Sequence, residues 1–369
     1  MKRILAVVFV LLVLLVAIVC GGCYWVYRSL NTPHEHTRAN EYLKIEKGST
    51  PRQIIEQLND AGIITDHMAT MIYLRTVGDG SKLQAGEYQF PSPISNLQVL
   101  RQLEKGQDLT LKLTIPEGFT RFDIAKRIAE RFGNPPAPAN GVVPPPFDDK
   151  AVLALMDDVS LIKDISPAAK NLEGYMYPST YSFQRDAKPQ DIIKAMVEQF
   201  RKVWKPEYAQ QAAALHRTPH EIVTIASLIE TETGVESERP IVAGIINNRL
   251  AKTVPLGIDQ TNVYIAKMLG RWDGVINKSD LEVDSPYNTR IKPGLPPGPI
   301  SSVSESSLKA ALNPTPNDYL FYVRNVDLND GSHWFYSSAA EFEKGKAKYQ
   351  QWLEQQRQEK RANGANNAP

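Results

Sequence analysis

Glu230 and Glu232 stand at the end of a segment with the pattern of a capped, core-facing helix. Thr218-Pro219-His220-Glu221 has the form of a helix start. It supplies a capping side chain, a proline at the first helical position, and a glutamate that completes a capping box. Ile222, Ile225, Ala226 and Ile229 then recur at i, i+3, i+4 and i+7, a stripe that faces a core. Gly234 offers a stop, which puts both glutamates in the last turn. A carboxylate at the negative end of a helix dipole is disfavoured in its charged form, and burial adds to the effect. A carboxylic acid held in that way is suited to protonating a glycosidic oxygen near neutral pH. Glu230 directly follows Leu228-Ile229. Glu232 lies ~200° further round, so the two do not share one cleft if the helix continues.

Other chemistries find less support. Ser306-Ser307-Leu308-Lys309 has the S-x-x-K spacing of acyl enzymes, but no K-T-G or S-D-N accompanies it, and a surface helix is the expectation there. His216 and His220 are four apart, but Pro219 interrupts them and no H-E-x-x-H exists. Neither a phosphate-binding loop nor a dinucleotide fingerprint is present. The two cysteines, Cys20 and Cys23, both lie in the first apolar stretch, so the rest of the chain has no disulfide framework or thiolate metal site. With 42 Lys and Arg against 41 Asp and Glu, the chain has no global basic field to attract nucleic acid. No metal and no cofactor is expected.

The elements around these residues read as an α+β chain. Leu43-Lys44-Ile45 is strand-like and leads through Gly48 to Thr50-Pro51, a helix start, and then to Ile54, Ile55 and Leu58. The pattern returns at an offset of 70: Leu113, Ile115, Gly118, Thr120 and Ile124 repeat Leu43, Ile45, Gly48, Thr50 and Ile54. Between the copies, the segment Gln84–Phe90 alternates as a strand. Small βα units of this kind resemble LysM modules, which bind glycan chains, and residues 42–110 are read as such a module.

At the N-terminus, residues 1–3 include Lys2 and Arg3, and an uncharged run follows from Ile4 to Tyr27. At ~1.5 Å per residue this run is long enough for a ~30 Å hydrocarbon core. Its end, with Tyr24, Trp25 and Tyr27, reads as an interfacial aromatic belt, not a cleavage site. Residues 4–27 are therefore expected to be an uncleaved single-pass anchor. Residues 1–3 would be cytoplasmic and the rest would face outward. Residues 28–40 read as a polar tether, with His34 and His36 solvated within it. Residues 134–146 are a Pro-rich insertion, and 357–369 a disordered tail.

Several ordered motifs carry a family resemblance over about residues 42–355. The run Ile225–Thr233, followed by Glu238-Arg239 and Asn248-Arg249-Leu250, resembles the YceG-like family of endolytic murein transglycosylases (MltG-type). Leu172-Glu173-Gly174-Tyr175-Met176-Tyr177-Pro178-Ser179-Thr180-Tyr181 is similar to that family's LEGYLFPDTY stretch. Ser285-Pro286-Tyr287-Asn288-Thr289 is similar to its SPYNT segment, and Gly294–Ile300 to its GLPPGPI loop. The strands Tyr319–Val323 and His333–Phe335 resemble its terminal strands. Residues 111–355 are accordingly read as a YceG-type catalytic α+β domain.

The resemblance implies lytic cleavage of the bond between N-acetylmuramic acid and N-acetylglucosamine in nascent peptidoglycan strands. Glu230 would protonate the glycosidic oxygen and then take the proton of the muramic 6-hydroxyl, leaving a 1,6-anhydro end. Asp259, Thr261, Tyr287, Asn288, Thr289 and Glu173 would bind substrate. For Tyr287, Asn288 and Thr289 a turn-stabilising cluster is the alternative; for Glu173 it is a structural contact beside the cleft. Asp259, Thr261 and Tyr264 match a further family motif, whereas Gly257 and Gln260 stand where the family has Gln and Pro. The resemblance also implies an inner-membrane location with the large domain in the periplasm, contact with membrane lipid, and peptidoglycan synthases (penicillin-binding proteins) as partners. A non-catalytic glycan-binding or scaffold protein of wall synthesis is the rival reading.

Overall fold

The structure, a computed structural model, describes residues 2–39, 41–106, 110–134 and 145–366. The chain divides into two compact units. One is built mainly from Met1–Leu111 with Ser182–Asp186; the other from Lys112–Asn134, Pro146–Tyr181 and Ala187–Pro369. The Pro-rich insertion expected at 134–146 falls largely outside the described residues.

The first unit runs α1 (Lys2–Asn31), β1 (Tyr42–Ile45), α2 (Pro51–Asp60), α3 (His67–Thr76), β2 (Gly86–Gln89) and α4 (Asn96–Lys105). α1 carries one span, Ile4–Asn31, long and apolar enough to cross a membrane. The helix passes the expected end at Tyr27, and residues 28–40 are not the free tether that their polarity indicated. Leu30 is buried, Ser29 Oγ donates to Asp66 Oδ2 at 3.0 Å, and His34 exchanges backbone hydrogen bonds with Ile94. The His34 and His36 rings meet the carbonyls of Ile63 and Pro91. Burial of a leucine and pairing of backbone groups hold this segment in place, which its composition alone does not reveal.

β1 pairs antiparallel with β2, Tyr42 opposite Gln89 and Ile45 opposite Gly86. Leu43 and Ile45, alternate residues of β1, pack with Ile54, Ile55 and Leu58 of α2 and with Tyr88. The two copies of the sequence repeat build the same turn. Gly48 and Gly118 take φ of +87° and +74°, which glycine tolerates without strain. Thr50 and Thr120 each close a capping box, with Gln53 and Asp123.

Further along are β3 (Leu111–Thr114), α5 (Arg121–Phe132), α6 (Asp149–Leu155), β4 (Thr180–Phe183), α7 (Pro189–Val203), α8 (Pro206–Ala214) and α9 (Pro219–Glu232). Then come α10 (Arg239–Ala251), α11 (Asp259–Met268), α12 (Lys278–Leu281), α13 (Glu305–Leu312), β5 (Phe321–Arg324), β6 (His333–Tyr336) and α14 (Ala339–Asn366). β3 pairs with β4, and β5 with β6. α9 is the central element. All eight residues from Ile222 to Ile229 are buried, more than the one stripe expected, because α8, α10, α11 and α13 pack around it.

Two further expectations change. The helix with the S-x-x-K spacing, α13, is not a surface helix: Ser307, Leu308 and Ala310 are buried against its neighbours, and exposed Lys309 pairs with Glu305 at 2.9 Å. The segment 357–369, expected to be disordered, continues α14 as far as Asn366. The Glu, Gln, Lys and Arg residues at its start are strong helix formers that can propagate a helix already begun on the β5–β6 hairpin, where Phe342 stacks on Phe321 at 5.1 Å.

Candidate active site

Thr218 caps α9, Glu221 closes the capping box, and Pro219 opens the first turn. The helix then runs to Glu232, which sets Glu230 in its last turn, where the covered core ends. The Glu230 side chain is 2% exposed. Its Oε1 accepts from Arg239 Nη2 at 2.9 Å. Its Oε2 accepts the Ser304 N–H at 2.7 Å and the Ser304 hydroxyl at 2.6 Å. Arg239 is the first residue of α10 and Ser304 the N-cap of α13, so one helix C-terminus and two N-termini converge on this carboxyl group. The dipole of α9 and burial both work against a charge at this position. The guanidinium and the N-terminus of α13 oppose both, since each favours negative charge.

Glu117 belongs to the same place. It lies in the Pro116-Glu117-Gly118 turn after β3, with its Oε2 3.7 Å from Arg239 Nη2. Its side chain is 55% exposed. Burial first, then the adjacent Glu230, hold it above the usual carboxylate range, with Arg239 opposing. Tyr177 is within electrostatic reach of Glu117, Glu230 and Glu305, and partial burial raises its phenol.

A single loop, Ile300–Ser304, ties these parts together. Ile300 N–H donates to Ser227 Oγ on α9 at 3.0 Å, and Ser304 reaches Glu230. Between them, Ser302 N–H donates to Phe119 O at 2.7 Å, and Gly118 N–H donates to Ser302 O at 3.2 Å. The turn that carries Glu117 is thereby fastened to the loop that holds Glu230.

The other expected site residues separate into two groups. Glu173, Thr261, Asn288 and Thr289 are all buried. Both Glu173 oxygens accept the Arg121 N–H, at 3.1 and 2.9 Å, at the start of α5. Burial pushes its carboxyl up to about 7, against the pull of that N–H. Next to it, Gly174 at φ +82° packs so closely that a Cβ would lie 2.6 Å from Pro299. Thr261 and Thr289 hydroxyls lie 3.1 Å apart around Ile258, and Asn288 Nδ2 donates to the Leu281 and Val283 carbonyls. As placed, these four hold loops and a helix start together, where sugar contacts were expected. Their polar groups are engaged inside the chain. Asp259 and Tyr287 differ. Asp259, on the first turn of α11, has a 57% exposed side chain and pairs with Arg290. Tyr287 is partly buried, its ring 5.1 Å from that of Tyr264.

Glu232 faces other partners. It accepts the Tyr322 hydroxyl from β5, and burial raises its carboxyl. Arg249, His333 and Asp259 lie within electrostatic reach. His333 in turn pairs with Glu238 at 2.7 Å.

Glu117 and Ser304 were missed from the sequence, and Arg239, Tyr177 and Tyr322 entered only as parts of motifs. One signal existed for Glu117: the repeat sets it against Lys47, a charge reversal directly before the shared glycine. Among the described residues, no group of three His, Cys, Asp or Glu side chains is placed to hold a metal ion.

A mixed helix-and-strand protein with one apolar N-terminal helix, and a covered glutamate held at the meeting of three helix ends, is the class that fold and site define. The chain belongs to the YceG-like family, whose model matches residues 43–348. It is 31% identical over 352 residues to the endolytic murein transglycosylase of Bacillus subtilis (strain 168), covering 90% of this chain and 91% of that one. It is 28% identical over 367 residues to the endolytic murein transglycosylase of Streptococcus pneumoniae serotype 2 (strain D39 / NCTC 7466), covering 93% of this chain and 65% of that one. The crystal structure of a YceG-like protein from Listeria monocytogenes aligns with a TM-score of 0.53 at 31% identity, covering 84% of this chain and 99% of that chain.

Proposed function

We propose that this chain is an endolytic murein transglycosylase in which Glu230 is the catalytic carboxyl group. By family the chain is an enzyme, a lytic transglycosylase acting on peptidoglycan. In the reaction, a proton from the Glu230 site passes to the oxygen between muramic acid and glucosamine as the C1–O bond breaks. The muramic 6-hydroxyl then bonds to C1, and its proton returns to the carboxylate. The product is a 1,6-anhydro end, and no water is consumed. The observation that carries this reading is the placement of Glu230. It is in the last turn of a helix whose middle, residues 222–229, is buried, with its oxygens fixed by Arg239 and Ser304, so that a charge change there meets preorganised donors.

The setting follows from the same reading. α1 anchors the enzyme, with Lys2 and Arg3 in the cytoplasm and the chain beyond α1 on the periplasmic side of the inner membrane. The order β1–α2–α3–β2, with its strands antiparallel, supports residues 42–110 as a LysM-like module that binds glycan strands. Cleavage of nascent strands close to the membrane would end their elongation and bring the enzyme to the peptidoglycan synthases.

The test is digestion of peptidoglycan by the purified full chain, with mass spectrometry of the muropeptides. Anhydro-muramic ends made by the parent and absent with Glu230→Gln are expected. Reducing muramic ends would mean hydrolysis, and no cleavage at all would favour a glycan-binding scaffold.

A further inference from the structure

We propose that Glu117 is the proton-sharing partner of Glu230: the two carboxyl groups, bridged by Arg239, hold one proton between them, and the reaction draws on that pair. The inference rests on the reading of Glu230 as the catalytic group and extends it.

Three observations lead to it. Glu117 and Glu230 converge on one guanidinium nitrogen, and two carboxyl groups that share one site are held best with a single proton between them. Arg239 Nη2 reaches both, at 2.9 Å and 3.7 Å, so the surroundings supply one full positive charge to two acids. Arg239 Nε is itself buried without a partner, so the guanidinium is not neutralised from its other side. The exposures also divide the work. Glu230 is 2% exposed and takes three internal donors, whereas Glu117 is 55% exposed and its turn is pinned by Ser302. The raised carboxyl of Glu117, a result of burial and of Glu230, agrees with the geometry.

The charged and titratable groups facing Glu117 are Glu230 from α9, Arg239 from α10 and Tyr177 from the loop before β4. Glu305 of α13 comes next through Tyr177, with Lys309 and Lys205 paired to it. Balance is simple. The shared proton passes to the leaving oxygen as C1–O breaks, which leaves two carboxylates beside Arg239 and the developing positive charge at C1. The 6-hydroxyl then bonds to C1, and its proton restores the singly protonated pair. Glu117 acts through Glu230, as the second carboxyl group on the same guanidinium nitrogen.

The test is the pH profile of strand cleavage by the full chain, comparing parent, E117Q and E117D. Removing the neighbouring charge should move the alkaline limb of kcat about one pH unit towards acid and lower kcat near neutrality about tenfold. KM for glycan strands should stay the same, and E117D should recover much of the limb. An E117Q enzyme with the parental alkaline limb, or one that raises KM and leaves kcat intact, would overturn the inference while leaving Glu230 in its role. A parent that makes no anhydro ends, or a fully active E230Q, would overturn the functional reading and this inference together. Melting curves of E117Q and E117D are expected to follow the parent, because the side chain is half exposed.

Discussion

Ser304 begins α13 by capping it with the same hydroxyl that it gives to Glu230. The Glu230 carboxylate thus lies on the N-terminal end of a second helix, 2.7 Å from its Ser304 N–H. This reverses an argument made from α9 alone. A glutamate at a helix C-terminus costs stability, and neutralising it should raise the melting temperature. With Ser304 and Arg239 in place, Glu230→Gln instead leaves a charged donor poorly matched, at a cost of about 1–3 kcal/mol. Its activity should fall by at least ~10²–10⁴, the usual worth of a general acid–base group. Calorimetry and muropeptide analysis of one preparation check both. A variant that melts higher than the parent would mean that the α9 dipole dominates after all.

Glu173 predicts a pH dependence of stability. Its carboxyl is pushed from an ordinary 4.5 up to about 7 by burial. Between those values the folded chain holds a proton that the unfolded chain has released, so this residue's contribution is present below about 4.5 and is lost as pH rises through about 7. Glu173→Gln keeps an acceptor for the Arg121 N–H and cannot ionise. Its melting temperature relative to the parent should rise between those pH values and level off above them. A difference between the two proteins that stays constant with pH would show that Glu173 titrates normally.

What the sequence made legible was local. The capping box at Thr218 needs only residues three apart, and it forms; Thr50, read as a helix start, and Thr120, its repeat partner, close boxes as well. Glu230 was singled out by a helix pattern and a family motif that lie within one segment. What it did not make legible came from segments far apart in the chain. Glu117 reaches Arg239 beside Glu230 from a turn that Ser302 fastens to the Ile300–Ser304 loop, and no periodicity encodes such a meeting. The same limit explains Thr261, Asn288 and Thr289. Their polar side chains suited sugar contacts, but whether a threonine faces a cleft or a neighbouring threonine depends on packing that spacing does not record. The tether failed for another reason: hydrogen bonds from His34 to Ile94 concern the backbone, which side-chain composition does not report.

Asp259 is the exposed member of the expected substrate residues, and its bond to Arg290 is a surface pair. Such pairs contribute about 0–1 kcal/mol. Asp259→Ala should therefore melt within a few degrees of the parent and yet cleave strands more slowly, through a higher KM. Unchanged turnover and KM would remove Asp259 from the site and leave it as the first-turn acid of α11.

Glu232 is the residue to separate from Glu230, since both are acids in one helix turn. The structure divides them by partner: Arg239 and Ser304 for one, Tyr322 for the other. Tyr322→Phe removes the hydroxyl that Glu232 accepts and leaves a buried carboxyl without its donor, at a cost of about 1–3 kcal/mol. Burial already raises Glu232, and the Tyr322 hydroxyl opposes that rise. Without the hydroxyl the carboxyl titrates higher still. The sign follows: an acid raised in the folded state loses stability as pH rises, so the deficit of the variant should be larger in alkali and shrink in acid, where Glu232 is protonated with or without its partner. Turnover per folded molecule should match the parent if Glu230, whose partners are Arg239 and Ser304, carries the proposed role. Denaturant melts across pH, with kcat measured on the same samples, give both readings. A kcat that falls as far as in Glu230→Gln would transfer the catalytic role to the Glu232–Tyr322 pair.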